Sequence, residues 1–477
     1  MNKTLLILIF LFWGIPSQAQ DSLKVSSEGN NPAPAYHLSL QQCLDYAYKH
    51  QKAMANSSLD IEIAKAKIKE TTGIGLPQIN GSAQYLYFPK IPVTLFPDFI
   101  SPLVYGVLNA KGVKDQNGNV ITVPTGPTVY TPVAFGLKNT SYGSLDASQI
   151  LFDGTYLVGL QAAKTYRELS TKSLIQTKIQ TAVAVSKAYY NVLVGKEQLN
   201  ILDADIARLS KNLYDTRALY KNGIVEKIDL SRIEVQLNTI LTQKIKAERL
   251  LELSLYSLKY QMGMPLETGL VLDEDVKNLQ LPELVDTSSL DPKRRIEYSL
   301  QSTQVHLYQL DVKRNRFLNL PTLNGIAEYR LAFQNSSFSH LYDTKYPQSF
   351  IGVNLNVPIF SGFERSARTQ QAKLTLKKSE NDLEDLGKAL SLDLKSSRVA
   401  YQNNLDDLKT QEKNRELSKE IYRVTKIKYE QGIGSSLEVT TAESDLKTAE
   451  TNYLSALFNA LISRVDLDKS LGLLATN

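Results

Sequence analysis

Two periodicities alternate along this chain, and each occurs twice. Ile79, Gly81, Ala83, Tyr85 and Tyr87 occupy every second position, with Asn80, Ser82 and Gln84 between them. That alternation predicts a strand with one apolar and one polar face. A later segment repeats it, with Ile351, Val353, Leu355, Val357 and Ile359 separated by Gly352, Asn354 and Asn356. Elsewhere the period lengthens. Leu199, Leu202, Ile206, Leu209 and Leu213 recur at spacings of three and four, as do Leu417, Ile421 and Val424, and this predicts long helices packed along a seam. No proline interrupts Thr155 to Lys221, and about 67 residues at roughly 1.5 Å each would reach about 100 Å. A compact globule cannot contain such a rod.

Returning helices follow. Ile233, Leu237 and Ile240 run into Ala247, Leu251, Ser254 and Leu258, and Leu446, Ala449, Tyr453, Ala456, Ala460 and Leu467 keep the same cadence. Leu38 to Thr72 and Val225 to Met262 each predict roughly 50 to 55 Å of helix, so two short helices stacked end to end match one long one.

The doubling extends to sequence. Leu76-Pro77-Gln78-Ile79-Asn80-Gly81 reappears as Leu320-Pro321-Thr322-Leu323-Asn324-Gly325, Leu151-Phe152-Asp153-Gly154 as Ile359-Phe360-Ser361-Gly362, and Tyr220-Lys221-Asn222-Gly223-Ile224 as Tyr429-Glu430-Gln431-Gly432-Ile433. The order is preserved, which predicts a duplicated module: a first repeat over 21–262, a connecting segment over 263–291 and a second repeat over 292–477. Strand pairs are expected near 76–89, 141–152, 320–332 and 349–360. The first copy carries roughly 36 extra residues within 86–143. Pro92, Pro97, Pro102, Asn117-Gly118, Pro124 and Pro132 there predict an extended external loop, with Leu103-Val104-Tyr105 as an apolar patch between turns.

Composition changes the picture mainly by exclusion. Lys3, the apolar run Leu5 to Trp13 and the small residues of Ser17-Gln18-Ala19 predict a secretory signal over 1–20. No other long apolar run follows, so any membrane insertion must use strands. Four strands cannot close alone, and their open edges in lipid would require several chains to share one sheet. The charge of +5 is spread evenly, which argues against nucleic acid. Cys43 excludes an intramolecular disulfide, and the four histidines lack zinc-ligand spacing. Phosphate-loop, H-E-x-x-H and G-x-S-x-G patterns are missing, so no catalytic residue, cofactor or metal is expected.

With the Leu38-Ser39-Leu40-Gln41-Gln42-Cys43-Leu44-Asp45-Tyr46-Ala47 segment, the repeated Leu-Pro and Phe-x-Gly elements and both glycine-centred turns, nearly the whole chain after residue 20 resembles the TolC-like outer-membrane efflux protein family. The resemblance implies a mixed α and β fold: a shared trimeric 12-stranded transmembrane β-barrel continuous with a long periplasmic α-helical coiled-coil tunnel. It implies an outer-membrane location, two identical subunits, outer-membrane lipid, a periplasmic adaptor and an inner-membrane pump or exporter as partners, and a passive exit duct for efflux or secretion. A type I protein-secretion conduit is one alternative. A non-pore exported coiled-coil adaptor or structural protein is another, and it predicts one helical hairpin where this chain has two. The resemblance places Asp229 and Glu438, six residues after Gly223 and Gly432, near a periplasmic constriction. Thr441 stands where some relatives carry a second acidic layer. The other reading of both acids is a solvated helix surface with ordinary ion pairs, Lys227 lying beside Asp229. Tyr220 and Tyr429 are expected to pack the descending helices, and Gly434 to loosen the second turn. In this reading the 86–143 insertion becomes a candidate cap over the outer mouth.

Overall fold

A computed structural model describes residues 36–475 apart from 128, 277, 278, 280 and 284–290. The signal expected over 1–20 lies outside the described residues. The chain runs through β1 (Tyr36–Leu38), α1 (Leu40–His50), α2 (Lys52–Ile74), β2 (Gln78–Tyr87), β3 (Val93–Pro97), α3 (Ile100–Ala110), β4 (Tyr130–Ala134), β5 (Asn139–Phe152), α4 (Gly154–Lys221) and α5 (Lys227–Met262). It continues with β6 (Leu270–Leu272), α6 (Ile296–Phe317), β7 (Thr322–Asn335), β8 (Tyr346–Asn356), α7 (Glu364–Glu430) and α8 (Ser436–Ser470). The periodic rods are therefore real helices of 68 and 67 residues. Among the described residues no helix is long and apolar enough to cross a membrane.

Local chemistry starts and stops these helices. Asp153 caps α4 by accepting from Thr155 N at 2.7 Å and Tyr156 N at 3.3 Å, and Ser39 and Gln42 form a capping box at α1. α5 ends at Gly263, whose φ of +71° is left-handed. α4 and α5 then pack as an antiparallel hairpin, burying Leu202 and Leu209 against Ile233, Ile240 and Ala247. α7 and α8 do the same with Tyr422 against Val439, Ala442 and Leu446. The largest core joins them midway, where Tyr189 and Leu193 of α4 meet Cys43 of α1, Leu258 of α5, Leu461 of α8 and Leu270 of β6. β6 pairs in parallel with β1, so part of the connecting segment lies against the start of the described chain.

Three expectations need correction. The helix expected over 38–72 is two, because Gln51 is extended (ψ 128°) between α1 and α2. Gly263 explains the break: a Cβ there would stand 2.8 Å from His50 O and 2.9 Å from Gln51 Cα, so α5 ends directly against that backbone. The 86–143 insertion is not a plain extended loop; it contains the antiparallel β3–β4 pair and the helix α3. Pro102 is the third residue of α3, within the first turn where a missing N–H costs no helical bond. The last strand ends at Asn356, because Val357 precedes Pro358, which cannot donate to a ladder. Ile359 lies outside the strand.

Candidate functional site

β2, β5, β7 and β8 form one antiparallel sheet in the order β2-β5-β7-β8. Its register sorts the side chains by chemistry. One face carries the row Ile79, Ala147, Ala327 and Ile351 and the neighbouring row Gly81, Leu145, Tyr329 and Ser349. The other carries Ser82, Ser144 and Arg330 beside Asn80, Asp146 and Glu328. On the apolar face Ile351 is 90 % and Val353 69 % exposed, so none of the described residues covers them. The polar face is tied together: Ser144 Oγ donates to Asp146 Oδ2 at 2.8 Å, the Ser82 and Ser144 hydroxyls lie 2.9 Å apart, and Arg330 pairs with Glu328 at 2.7 Å. Among the described residues neither β2 nor β8 has a second partner strand, so both sheet edges are open.

At the far end of the hairpins the two turns share one geometry. Gly223 has φ +71° and donates to Tyr220 O at 3.0 Å while Ile224 donates to Leu219 O at 3.0 Å; Gly432 has φ +76° and donates to Tyr429 O at 2.9 Å while Ile433 donates to Lys428 O at 3.0 Å. Only a residue without Cβ adopts that φ cheaply. Gly434 is a close approach instead, since a Cβ there would come within 3.0 Å of Tyr429 N.

The expected site residues divide around these turns. Glu438 is exposed in the first turn of α8 and its N–H is held by Ser435 Oγ at 3.2 Å; Thr441 is exposed and bonds back to Leu437 O at 2.9 Å. Asp229 is employed locally, accepting from Glu226 N at 3.4 Å in a capping box and lying 3.6 Å from Arg232. Tyr429 packs against the Tyr422 cluster of α7 and α8, and its hydroxyl is pushed above the usual range first by burial and then by the Asp229 carboxylate. The Asp229 carboxylate of one hairpin thus acts through its charge on Tyr429 of the other. Tyr220 remains exposed.

A group that the sequence pattern did not single out joins the hairpins higher up. Arg208 of α4 reaches Asp205 at 2.5 Å on its own helix and Glu443 of α8 at 2.8 Å. Its guanidinium stands 5.2 Å from the Tyr422 ring centroid. Only 1 % of the Asp205 side chain and 6 % of that of Glu443 is exposed. Glu450 adds a third carboxyl beside them, raised to about 7 by burial first and then by Asp205. The available signal was a pair of acids seven residues apart on α8, flanking the buried Leu446.

Comparison with known proteins matches this geometry to a family. The family model described as outer membrane efflux protein matches residues 297–473. The proteases secretion protein PrtF of Dickeya chrysanthemi is 22 % identical over 69 % of this chain and 72 % of its own. The outer membrane protein TolC of Vibrio cholerae is 23 % identical over 69 % and 76 %. The crystal structure of the Campylobacter jejuni CmeC outer membrane channel superposes with a TM-score of 0.68 at 18 % identity, covering 94 % of this chain and 90 % of that one, and shares the fold. These matches support a TolC-like outer-membrane efflux protein, a transport protein of the outer membrane with its long helices extending into the periplasm.

Proposed function

We propose that three copies close one twelve-stranded barrel by pairing β2 of one copy with β8 of the next, and that the hairpins continue it as a passive periplasmic exit duct. The observation that carries this reading is the four-stranded sheet with an uncovered apolar face, a cross-linked polar face and two open edges. In hydrocarbon an unpaired edge costs several kcal/mol per polar group, so such a sheet is tenable only when closed. Closure turns Ile79, Ile351 and Val353 toward lipid and Asn80, Ser82, Asp146 and Glu328 toward water.

The duct opens when a periplasmic adaptor and an inner-membrane pump or exporter engage its tip and shift α7 and α8 against α4 and α5. That partner selects the cargo, small molecules with a pump and polypeptides with a secretion exporter. At the constriction the exposed Glu438 supplies one negative charge per copy, and Thr441 adds none. Asp229 contributes through its ion pair with Arg232 and through its charge, which acts on the Tyr429 hydroxyl.

Purified protein tests both levels. Its mass in detergent should be that of a trimer, and planar bilayers should show discrete channels. Glu438→Ala should lower cation preference and Glu438→Lys reduce or reverse it, with the trimer intact. A monomer without conductance overturns the duct; identical selectivity in all three proteins removes Glu438 from the constriction.

A further inference from the structure

Opening by relative movement of the hairpins must deform what joins α4 to α8, and one of these joints, the cluster around Arg208, is electrically unbalanced. Arg208 serves three carboxyls: Asp205, Glu443 and Glu450. It bonds the first two directly. Glu450 Oε2 is buried with no hydrogen-bond donor among the described residues, and its close neighbour is another carboxyl, Asp205. Two carboxylates facing each other without a donor between them repel; one proton placed between them makes a short, strong bond. Glu443 Oε2 is also buried, with the buried Tyr422 hydroxyl of α7 beside it as a neutral donor. The remaining charged groups that face the pair are Lys447 of α8 and the exposed Lys246 of α5.

Solvent can reach the pair. A cavity of about 810 Å³ between α4, α5 and α8 is lined by Asp205, Glu450, Lys447 and Lys246 among others, so protons can exchange without unfolding.

We propose that Asp205 and Glu450 act as positioning residues sharing one proton, so that the α4–α8 joint is tight while the proton is held and loosens when both ionise, making duct opening respond to periplasmic pH. The proposal rests on the duct reading. Its sign follows from charge. With the proton in place, Asp205, Glu443 and Glu450 carry two negative charges between them against Arg208 and Lys447; without it they carry three. Glu450 sits at about 7, above the ordinary 4.5 of a glutamate, because burial and the adjacent Asp205 penalise its ionised form. A raised value in the folded state means that the contribution to the joint is fully present below the ordinary value and is lost as pH rises through about 7.

The test is amide hydrogen exchange of the 443–450 segment from pH 5.5 to 8.5, corrected for intrinsic rates, with bilayer conductance recorded on the same preparation. Wild-type protection should fall at least tenfold across neutrality, since a group raised to about 7 gives up its contribution over more than one pH unit in this range, with opening frequency rising in parallel. Glu450→Gln keeps a neutral donor toward Asp205 and should hold protection high and opening low at every pH. Asp205→Asn should flatten the profile as well, a second variant should the first fold poorly. Profiles in Glu450→Gln and Asp205→Asn that track wild type overturn the proposal while channels persist. Loss of all conductance with the pH-dependent protection intact overturns the duct instead and leaves the shared proton standing.

Discussion

Arg208 Nε donates to Glu443 Oε1 at 2.8 Å, and the two residues lie 235 positions apart in sequence on different helical hairpins. The bond is therefore a tertiary staple rather than a helix-surface pair, although Arg208 also holds Asp205 three residues back on its own helix. Desolvating these charges is expensive, and the expense is recovered only while both partners are present. Truncating one of them strands a buried charge. Arg208→Ala is expected to destabilise the folded protein by about 3–5 kcal/mol, whereas replacing the pair together, as Arg208→Met with Glu443→Leu, should recover only part of that loss, because Asp205 stays buried without its cation. Thermal unfolding of the two variants measures the difference; equal loss in both would show that packing, not charge, dominates the site.

The glycines separate backbone strain from crowding. At Gly223 and Gly432 φ is positive and a Cβ would meet open space. Alanine there should cost only the left-handed backbone, about 1–2 kcal/mol, confined to the turn. Gly263 combines a φ of +71° with backbone atoms 2.8 to 2.9 Å from the added Cβ. Gly263→Ala should therefore lower the melting temperature more than either tip variant, and a ranking in the reverse order would contradict the account of the break at Gln51.

What could be read in the sequence was whatever short-range periodicity dictates. Period-two alternation fixes which face of each strand is apolar, so it separates Ile79 from Asn80 and Ile351 from Asn354 without the register, while the register alone puts Ile79 and Ile351 on one face of the sheet. The tip glycines were readable because a long apolar cadence stops at each of them. The break at Gln51 was not, since neither proline nor glycine marks it and its cause, the approach of Gly263, lies more than two hundred residues away. The α4–α8 joint escaped for a related reason. Asp205 and Arg208 have the spacing of an ordinary surface ion pair, and only Glu443, brought in by the second hairpin, buries them.

Cys43 gives a simple probe of the midway core. It is fully buried, and burial, followed by the nearby Glu274 and Asp273 carboxylates, pushes its thiol up to about 12. The reactive thiolate is therefore scarce well above neutrality as long as α1 stays docked. A disulfide reagent at pH 8 should label the folded protein at least tenfold more slowly than the urea-unfolded chain, from the thiolate fraction alone. Rapid labelling without denaturant would mean that α1 opens locally from α4 and α5.

The insertion leaves the sheet at its edge strand. β2 and β5 remain paired from Gln78–Ser148 to Tyr87–Asn139, and Phe88 N still donates to Lys138 O at 2.7 Å. Beyond that bond the segment is held by the β3–β4 pair and by Phe96 against Phe135, with centroids 4.9 Å apart. The four-stranded sheet thus has no structural need of residues 90–136. α3 presents Ile100, Leu103, Val104 and Val107 to solvent and carries no charge, an unusual surface for a helix without a role. Replacing 90–136 by a two-residue Asn-Gly turn should leave the trimer and its heat resistance intact, because the ladder from residue 78 to 87 is untouched. If three insertions stand over the outer mouth, the excised channel should conduct more than wild type, with the largest gain for bulky ions. Conductance and gating indistinguishable from wild type would place the insertions away from the conduction path and end the capping assignment.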